Sequence, residues 1–561
     1  MRVDERLLLI VVAVVVGALS GFASVVLNWL LHVLGELARE IRGHPGGFLL
    51  PAAGAAASCV FMLHIVKEGS GHGVPEVIYT IFRHGGLLRL RSCFSRLISS
   101  SLTIASGGSA GPEAPAVVSG AAIGSNIARV MGLKDRQRIA LVGCGAAGAI
   151  SSIFNAPVSG IVFAVEVILG EWTHINLIPI AIASVIGTEV SRLLQGNQIP
   201  FEHHAFNPSL LDMTACIFLG VLTGLGAALM TRTLEEVEKT SHKFFHRPWL
   251  RAAVGGACVG ALGLVFPDVL GEGYEVIRTV ISNSYAPGLV LVALAALAKI
   301  LATALTLGTG GSGGIFAPSL VIGALGGLAF QRGLVWAWPG VGWAEEGFYA
   351  MLGMAGILSG TLQAPLTGIF LIVEVTGGYE VVLPLILVAV VAATISSYLE
   401  PVSFYHRELA RTGQLLRPRT DARVLAELEI VELMDESYQV LYEDMPIKEV
   451  VDILQHTSAT VVPVVRREDG KFVGLVRVEE VMPYLLNPDL HPALIVGELA
   501  DRHLPEVSPF DEVRQVLEVM DTTGHWVLPV VHNGRLLGLI SKAAILEQYR
   551  RELILQTEAE V

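Results

Sequence analysis

Apolar residues dominate long stretches of the chain, notably Leu7 to Leu37, Met213 to Met230, Leu289 to Leu307 and Val381 to Leu399. Each offers about 18 or more largely apolar positions, enough for a helix to cross a hydrocarbon core of about 30 Å. Many crossings are therefore predicted. The first run is too long for a secretory signal and lacks a small-residue cleavage site, so it reads as a retained helix. The pattern changes after Tyr405, where RELARTGQLLRPRTDARVLAELEIVELM brings charge at nearly every turn. From Val431 short β-branched runs, ATVVPVV (459–465) and FVGLV (472–476), alternate with amphipathic helical segments such as VEEVMPYLL. The pattern thus predicts a membrane domain over 1–410, a linker over 411–430 and a soluble α/β module over 431–561.

Composition agrees with this division. Of the 561 residues 52% are hydrophobic and 16% charged, outside the range of ordinary soluble domains. The net charge of −13 includes a concentration of acids after residue 420, which argues against a nucleic-acid partner. Arg2 and Arg6, with the polar C-terminal region, place the amino terminus on the cytoplasmic side. The five cysteines, Cys59, Cys93, Cys144, Cys216 and Cys258, show neither metal-like nor disulfide-like spacing and read as small packing residues. No metal site is predicted.

Both parts of the chain repeat internally. SATVVPVVRREDGKFVGLVRVEEVM (458–482) matches GHWVLPVVHNGRLLGLISKAAIL (524–546), each with a proline-bearing strand, a turn at Asp469-Gly470 or Asn533-Gly534, a second strand and a helix. In the membrane part, GGSAGPEAPAVVSGAAIG (107–124) falls on GGSGGIFAPSLVIGALGG (310–327), and FNAPVSGIVFAVEV (154–167) on LQAPLTGIFLIVEV (362–375). The second match pairs Glu166 with Glu374. The duplicated halves, about 1–200 and 201–410, predict an inverted repeat with its substrate site near the midplane, where Gly/Pro-interrupted helices begin. Glycines leading into a proline and an apolar helix leave backbone N–H groups unpaired at a helix N-terminus, a nest for an anion. Neutral donors hold an anion without the cost and tight grip of a buried full charge.

The motifs at these places carry a resemblance. GPEAP (111–115) and GIFAP (314–318) resemble the GxExP and GxFxP motifs of the CLC chloride channels and transporters. GHGVP (71–75) resembles that family's first anion-binding loop, SFYH (403–406) the segment bearing its pore tyrosine, and the C-terminal pair resembles tandem CBS domains, about 431–490 and 491–561. The resemblance implies a polytopic α-helical membrane protein with an inverted repeat followed by a soluble α/β tandem CBS module. It also implies a homodimer in the cell membrane, with an anion path in each subunit and cytoplasmic CBS domains. Its ligand would be chloride or a similar monovalent anion, and it would not be an enzyme. The anion-binding positions carried over are His72, Gly73, Gly111, Ala114, Gly314, Ile315, Phe316, Ala317 and Tyr405.

Glu113 takes the gating position, where a carboxylate at an N–H nest competes with the anion and is released on protonation. The chain also departs from the family pattern. Pro112 stands where a basic residue is usual, and Ala114 where Gly is usual. His72 replaces an ion-contacting serine and either donates to the anion or faces the cytoplasmic vestibule. Val167 occupies the position of the inner proton-relay glutamate of the family's exchangers, which points to a passive channel gated by Glu113. A proton-coupled antiporter is the alternative, with water, Glu166 or His72 in place of the missing acid; Glu166 reads equally as a structural residue. A cation transporter would need acids at matching positions of both repeats. In the CBS pair, Gly538 and Ser541 keep part of an adenine-nucleotide motif, but Ala544 stands where its acid belongs, and the first copy has Arg477 and Glu480 at the hydroxyl and acid positions. The pair reads as a nucleotide site or as a gating or dimerising module without ligand.

Overall fold

The computed structural model describes residues 5–44, 46–67, 73–197, 201, 206, 208–411, 425, 428–454, 459–485 and 494–558. His72 and most of the 411–430 linker lie outside them. The chain divides into two compact units, Met1–Leu415 and Leu416–Val561.

The regular elements described in the first unit are helices. Its first half contains α1 (Glu5–Arg42), α2 (Leu50–Val60), α3 (Val74–Arg83), α4 (Ser92–Ala105), α5 (Glu113–Val130), α6 (Asp135–Phe154), α7 (Pro157–Phe163) and α8 (His174–Gln195). The second half contains α9 (Leu210–Phe244), α10 (Pro248–Val265), α11 (Tyr274–Ile281), α12 (Leu289–Gly308), α13 (Phe316–Ala337), α14 (Glu346–Leu362), α15 (Pro365–Thr376) and α16 (Val382–Leu399), and α17 (Phe404–Arg411) follows. Among the described residues nine helices are long and apolar enough to cross a membrane. Phe22 and Trp29 on α1, Phe218 and Leu225 on α9, and Leu291 and Leu297 on α12 are exposed, as a lipid-facing surface requires.

The repeat seen in sequence extends to the backbone. The helix before each Ala-Pro pair ends in a left-handed residue, Asn155 at φ 54° and Gln363 at φ 55°. Ala156 and Ala364 then take the same extended turn, with φ −131° in both, because the proline that follows disfavours the helical region. Close helix contact is repeated as well. A Cβ on Gly120 would lie 2.2 Å from the Gly145 carbonyl oxygen, and one on Gly323 would lie 2.4 Å from that of Gly353. Only glycine lets α5 meet α6, and α13 meet α14, backbone to backbone.

The second unit contains α18 (Ile430–Leu433), β1 (Leu441–Tyr442), α19 (Ile447–Leu454), β2 (Val461–Val465), β3 (Phe472–Arg477), α20 (Val478–Leu485), α21 (Val496–Leu499), α22 (Val513–Thr523), β4 (Val527–His532), β5 (Arg535–Ser541) and α23 (Lys542–Glu558). β1 lies parallel to β2, while β2–β3 and β4–β5 are antiparallel hairpins with Pro463 opposite Leu475 and Pro529 opposite Leu539. The predicted turn at Asn533-Gly534 has both residues at positive φ, 52° and 77°. One core gathers Leu441, Val462, Val464, Val476 and Val481, and the other Val516, Leu528, Val530 and Ile540. Ile430 packs in the second core although it precedes the first copy in sequence, and Asp435 exchanges backbone hydrogen bonds of 2.8 and 3.1 Å with Leu539. The segment ahead of one copy thus completes the other.

Three of the five cysteines, Cys59, Cys144 and Cys216, are buried as packing residues. Cys93 is half-buried, and Cys258 departs from the expectation: it is exposed and lines a cavity with residues of α9, α10 and α12.

Candidate anion and proton site

The two Gly-rich loops meet. Gly111 N–H donates to the Gly314 carbonyl at 2.8 Å and Gly314 N–H to that of Gly111 at 2.7 Å, an antiparallel pair linking the two halves. The flanking contacts are reciprocal too: Ser109 N–H donates to Thr306 Oγ1 at 2.9 Å and Ser312 N–H to Thr103 Oγ1 at 3.2 Å. A pseudo-two-fold axis between Gly111 and Gly314 accounts for all four bonds. It also brings the N-termini of α5 and α13 to one place. Pro115 and Pro318 have no N–H, so the donors available there are those of Glu113, Ala114, Phe316 and Ala317. Ala114, Ile315, Phe316 and Ala317 are all buried, and the Phe316 ring is held edge-on by Phe163 at 5.3 Å.

Glu113 opens α5 and is fully buried. Its Oε1 accepts a hydrogen bond from the Tyr274 hydroxyl at the start of α11, while Oε2 makes none among the described residues. The backbone N–H groups of Glu113 itself and of Ala317, on the opposite helix end, attract the carboxylate. It therefore occupies the junction of the two helix N-termini, where an anion would sit. The Tyr405 ring, 1% exposed, lies close enough to Glu113 for its charge to act on it, and the hydroxyl has no partner among the described residues. A buried O–H without an acceptor is costly, and a passing anion would satisfy it. Tyr405→Phe is accordingly expected to weaken chloride binding by about a factor of five, the worth of one neutral hydrogen bond; calorimetry on the purified protein measures it. Gly73 caps α3 at φ 76°, adjoining the His72 position that lies outside the described residues.

The inner position behaves otherwise. Val167 is buried in a π-helical turn, Ala164–Leu169, and offers nothing to a proton. Glu166 beside it is committed elsewhere: its carboxylate accepts from Leu366 N–H, Thr367 N–H and Thr367 Oγ1 at 3.2, 2.7 and 2.7 Å. Glu374 does the same for Val158 N–H, Ser159 N–H and Ser159 Oγ at 3.0, 2.7 and 2.5 Å. Each acid caps the helix that opens the corresponding segment of the other half, which is the structural reading of Glu166. In the CBS unit Ser541 Oγ accepts the Ala544 N–H at 3.1 Å, capping α23, and a Cβ at Gly538 would come within 3.0 Å of the Asp435 carbonyl oxygen. Arg477 lies 3.0 Å from His525 Nδ1 and 3.8 Å from Glu480.

Sequence reasoning passed over the basic residues under the site. Lys299, alone among the charges of its apolar run, is fully buried on α12 and donates to the carbonyls of Val269 and Gly271 at 3.0 and 2.9 Å. Arg96 on α4 is buried at the repeat-equivalent position and lies 3.5 Å from Glu76. Laying the repeats over each other puts Arg96 on Lys299, and Gly71-His72-Gly73 on Gly271-Glu272-Gly273. That overlay is the signal that would have found Lys299, Glu272 and Tyr274. No group of three or more potential metal ligands occurs among the described residues.

The two halves of the repeat thus bring two broken helices together on one buried acid. Residues 53–397 match the family model described as voltage gated chloride channel, and residues 430–487 and 496–551 match CBS domains. The chain belongs to this CLC family. It is 32% identical over 369 residues to a ClcB-like chloride channel protein of Ralstonia nicotianae, covering 65% of this chain and 85% of the relative. It is 29% identical over 418 residues to the H(+)/Cl(-) exchange transporter ClcA of Vibrio cholerae, covering 71% and 88%. Among solved structures, a slow cyanobacterial Cl-/H+ antiporter shares the fold at a TM-score of 0.66 and 24% identity, over 73% of this chain and 98% of that one.

Proposed function

We propose that this protein exchanges chloride for protons across the membrane. The observation that carries the reading is Glu113: an acid in the anion's own seat links occupancy by chloride to its protonation. The likeness to relatives named as proton/chloride exchangers supports the same choice, so the exchange alternative is preferred over the channel that Val167 suggested. Protons reach the inner side of the site through water rather than through a side chain at position 167. A cation pathway is disfavoured because the acids at matching repeat positions, Glu166 and Glu374, are spent as helix caps. The working unit is a homodimer in the cell membrane with Gly73, Gly111, Ala114, Gly314 to Ala317 and Tyr405 around the ion. The CBS pair is cytoplasmic and regulatory, and its Gly538 and Ser541 have structural work that needs no nucleotide.

The test is flux from reconstituted vesicles with simultaneous recording of both ions. An outward chloride gradient is expected to drive protons uphill at a fixed ratio. Chloride loss with no proton movement would return the reading to a channel.

A further inference from the structure

Glu113 has no contact with solvent, so a proton must reach it through another group or through water. The loop Gly271-Glu272-Gly273 supplies such a group. Gly271 is pinned at both of its backbone atoms: its N–H donates to the Gly107 carbonyl at 3.2 Å, in the loop that leads into α5, and its carbonyl accepts from Lys299 Nζ at 2.9 Å. Two residues beyond Glu272, Tyr274 donates its hydroxyl to Glu113. Glu272 is thereby held between two fixed points, half-buried and so exposed on one side. On the other, the charges of Glu113 and Lys299 act on it, and those of Glu272 and Glu113 both act on Tyr274. The titratable groups about this loop are Glu113, Tyr274, Lys299 and, next to Lys299, Asp268, which accepts from the Tyr285 hydroxyl.

We propose that Glu272 is the proton exchanger of the gate, the carboxyl through which protons pass between water and Glu113. This role rests on the exchange of chloride for protons and names the residue that serves it. The proton leaves the Glu272 carboxyl and arrives at Glu113 Oε2, the oxygen left without a hydrogen bond, while Oε1 keeps that of Tyr274. Glu272 is left as the carboxylate and takes its next proton from water. Lys299 holds the loop through the Gly271 carbonyl, and its charge acts on that carboxylate, which offsets part of the cost of leaving it ionised.

The experiment uses the full chain in vesicles with Glu272→Gln and Glu272→Asp, recording chloride and proton flux from about pH 4.5 to about pH 7.5, a span that brackets the carboxyl and imidazole ranges. Glu272→Gln is expected to slow proton flux about tenfold or more and, because the two ions move at a fixed ratio, chloride exchange with it, and Glu272→Asp to restore most of both. Unchanged proton flux and pH profile in Glu272→Gln would overturn the proposal. So would a proportional loss of both fluxes without rescue by aspartate, which is the mark of a merely structural residue. If the wild type moves chloride without protons, the exchange reading fails by itself. Protonation of the gate still has to pass Glu272 in that case. Slower opening of Glu272→Gln after a drop in pH would then uphold the proposal, and unaltered opening would overturn it.

Discussion

Glu113→Gln is expected to abolish proton movement while chloride flux stays at or above the wild-type level. The amide matches the protonated acid in shape and carries no charge, so the pull of the α5 and α13 N-termini on the side chain falls and chloride takes the seat. Loss of the acid at that seat should lower proton flux by about 100-fold or more, the usual worth of a positioned proton-transfer group. The pH response has a defined sign. In the wild type a falling pH protonates Glu113, releases it from the N–H donors and raises chloride flux; in the glutamine variant that rise should be absent. Parallel chloride and proton recordings over a pH series check both statements. A full pH response in Glu113→Gln would place the sensor in another residue, His72 being the first to test.

A second large effect is expected from one methyl group. A Cβ on Gly111 would lie 2.0 Å from Glu113 Oε2 and 3.0 Å from the Ala317 Cβ. The nearer atom is the end of a side chain, so Gly111→Ala should move the carboxylate rather than the backbone. Overpacking a dry site costs about 1–3 kcal/mol, which here falls on the seated position of Glu113 alone. Chloride flux at high pH, where the seated carboxylate blocks most, should therefore rise about tenfold with the acid still present. Thermal unfolding in detergent serves as the control: a midpoint near that of the wild type shows that the Gly111–Gly314 pair persists. Unchanged flux at high pH would mean that Glu113 does not obstruct the path from this position.

How much of this was legible beforehand depends on the distance over which each feature is decided. The repeated glycines and prolines announce broken helices because their backbone restrictions are local, and Ala156-Pro157 and Ala364-Pro365 do adopt the same turn. Glu113 stood out because an acid in apolar sequence is anomalous wherever it folds. Lys299 is equally anomalous inside Leu289 to Leu307, but its role is not legible locally, since its bonds to Val269 and Gly271 join residues that only folding brings together. Glu166 was readable as either structural or chemical, and what resolves it is Thr367, a residue of the other half.

The sequence by itself determined the membrane character, the duplication, the division near residue 410 and the residue types able to hold an anion, since each follows from hydropathy, backbone propensity or side-chain charge. Only the tertiary structure decided that Gly111 and Gly314 pair across the two halves, that Tyr274 restrains Glu113, that Tyr405 is left without an acceptor among the described residues, and that Ile430 completes the core of the second CBS copy. Local chemistry can be read along the chain. Which distant group satisfies a given donor or acceptor depends on how the two halves dock, and that is set by close backbone contacts, such as those of Gly120 and Gly323, whose partners no local pattern names.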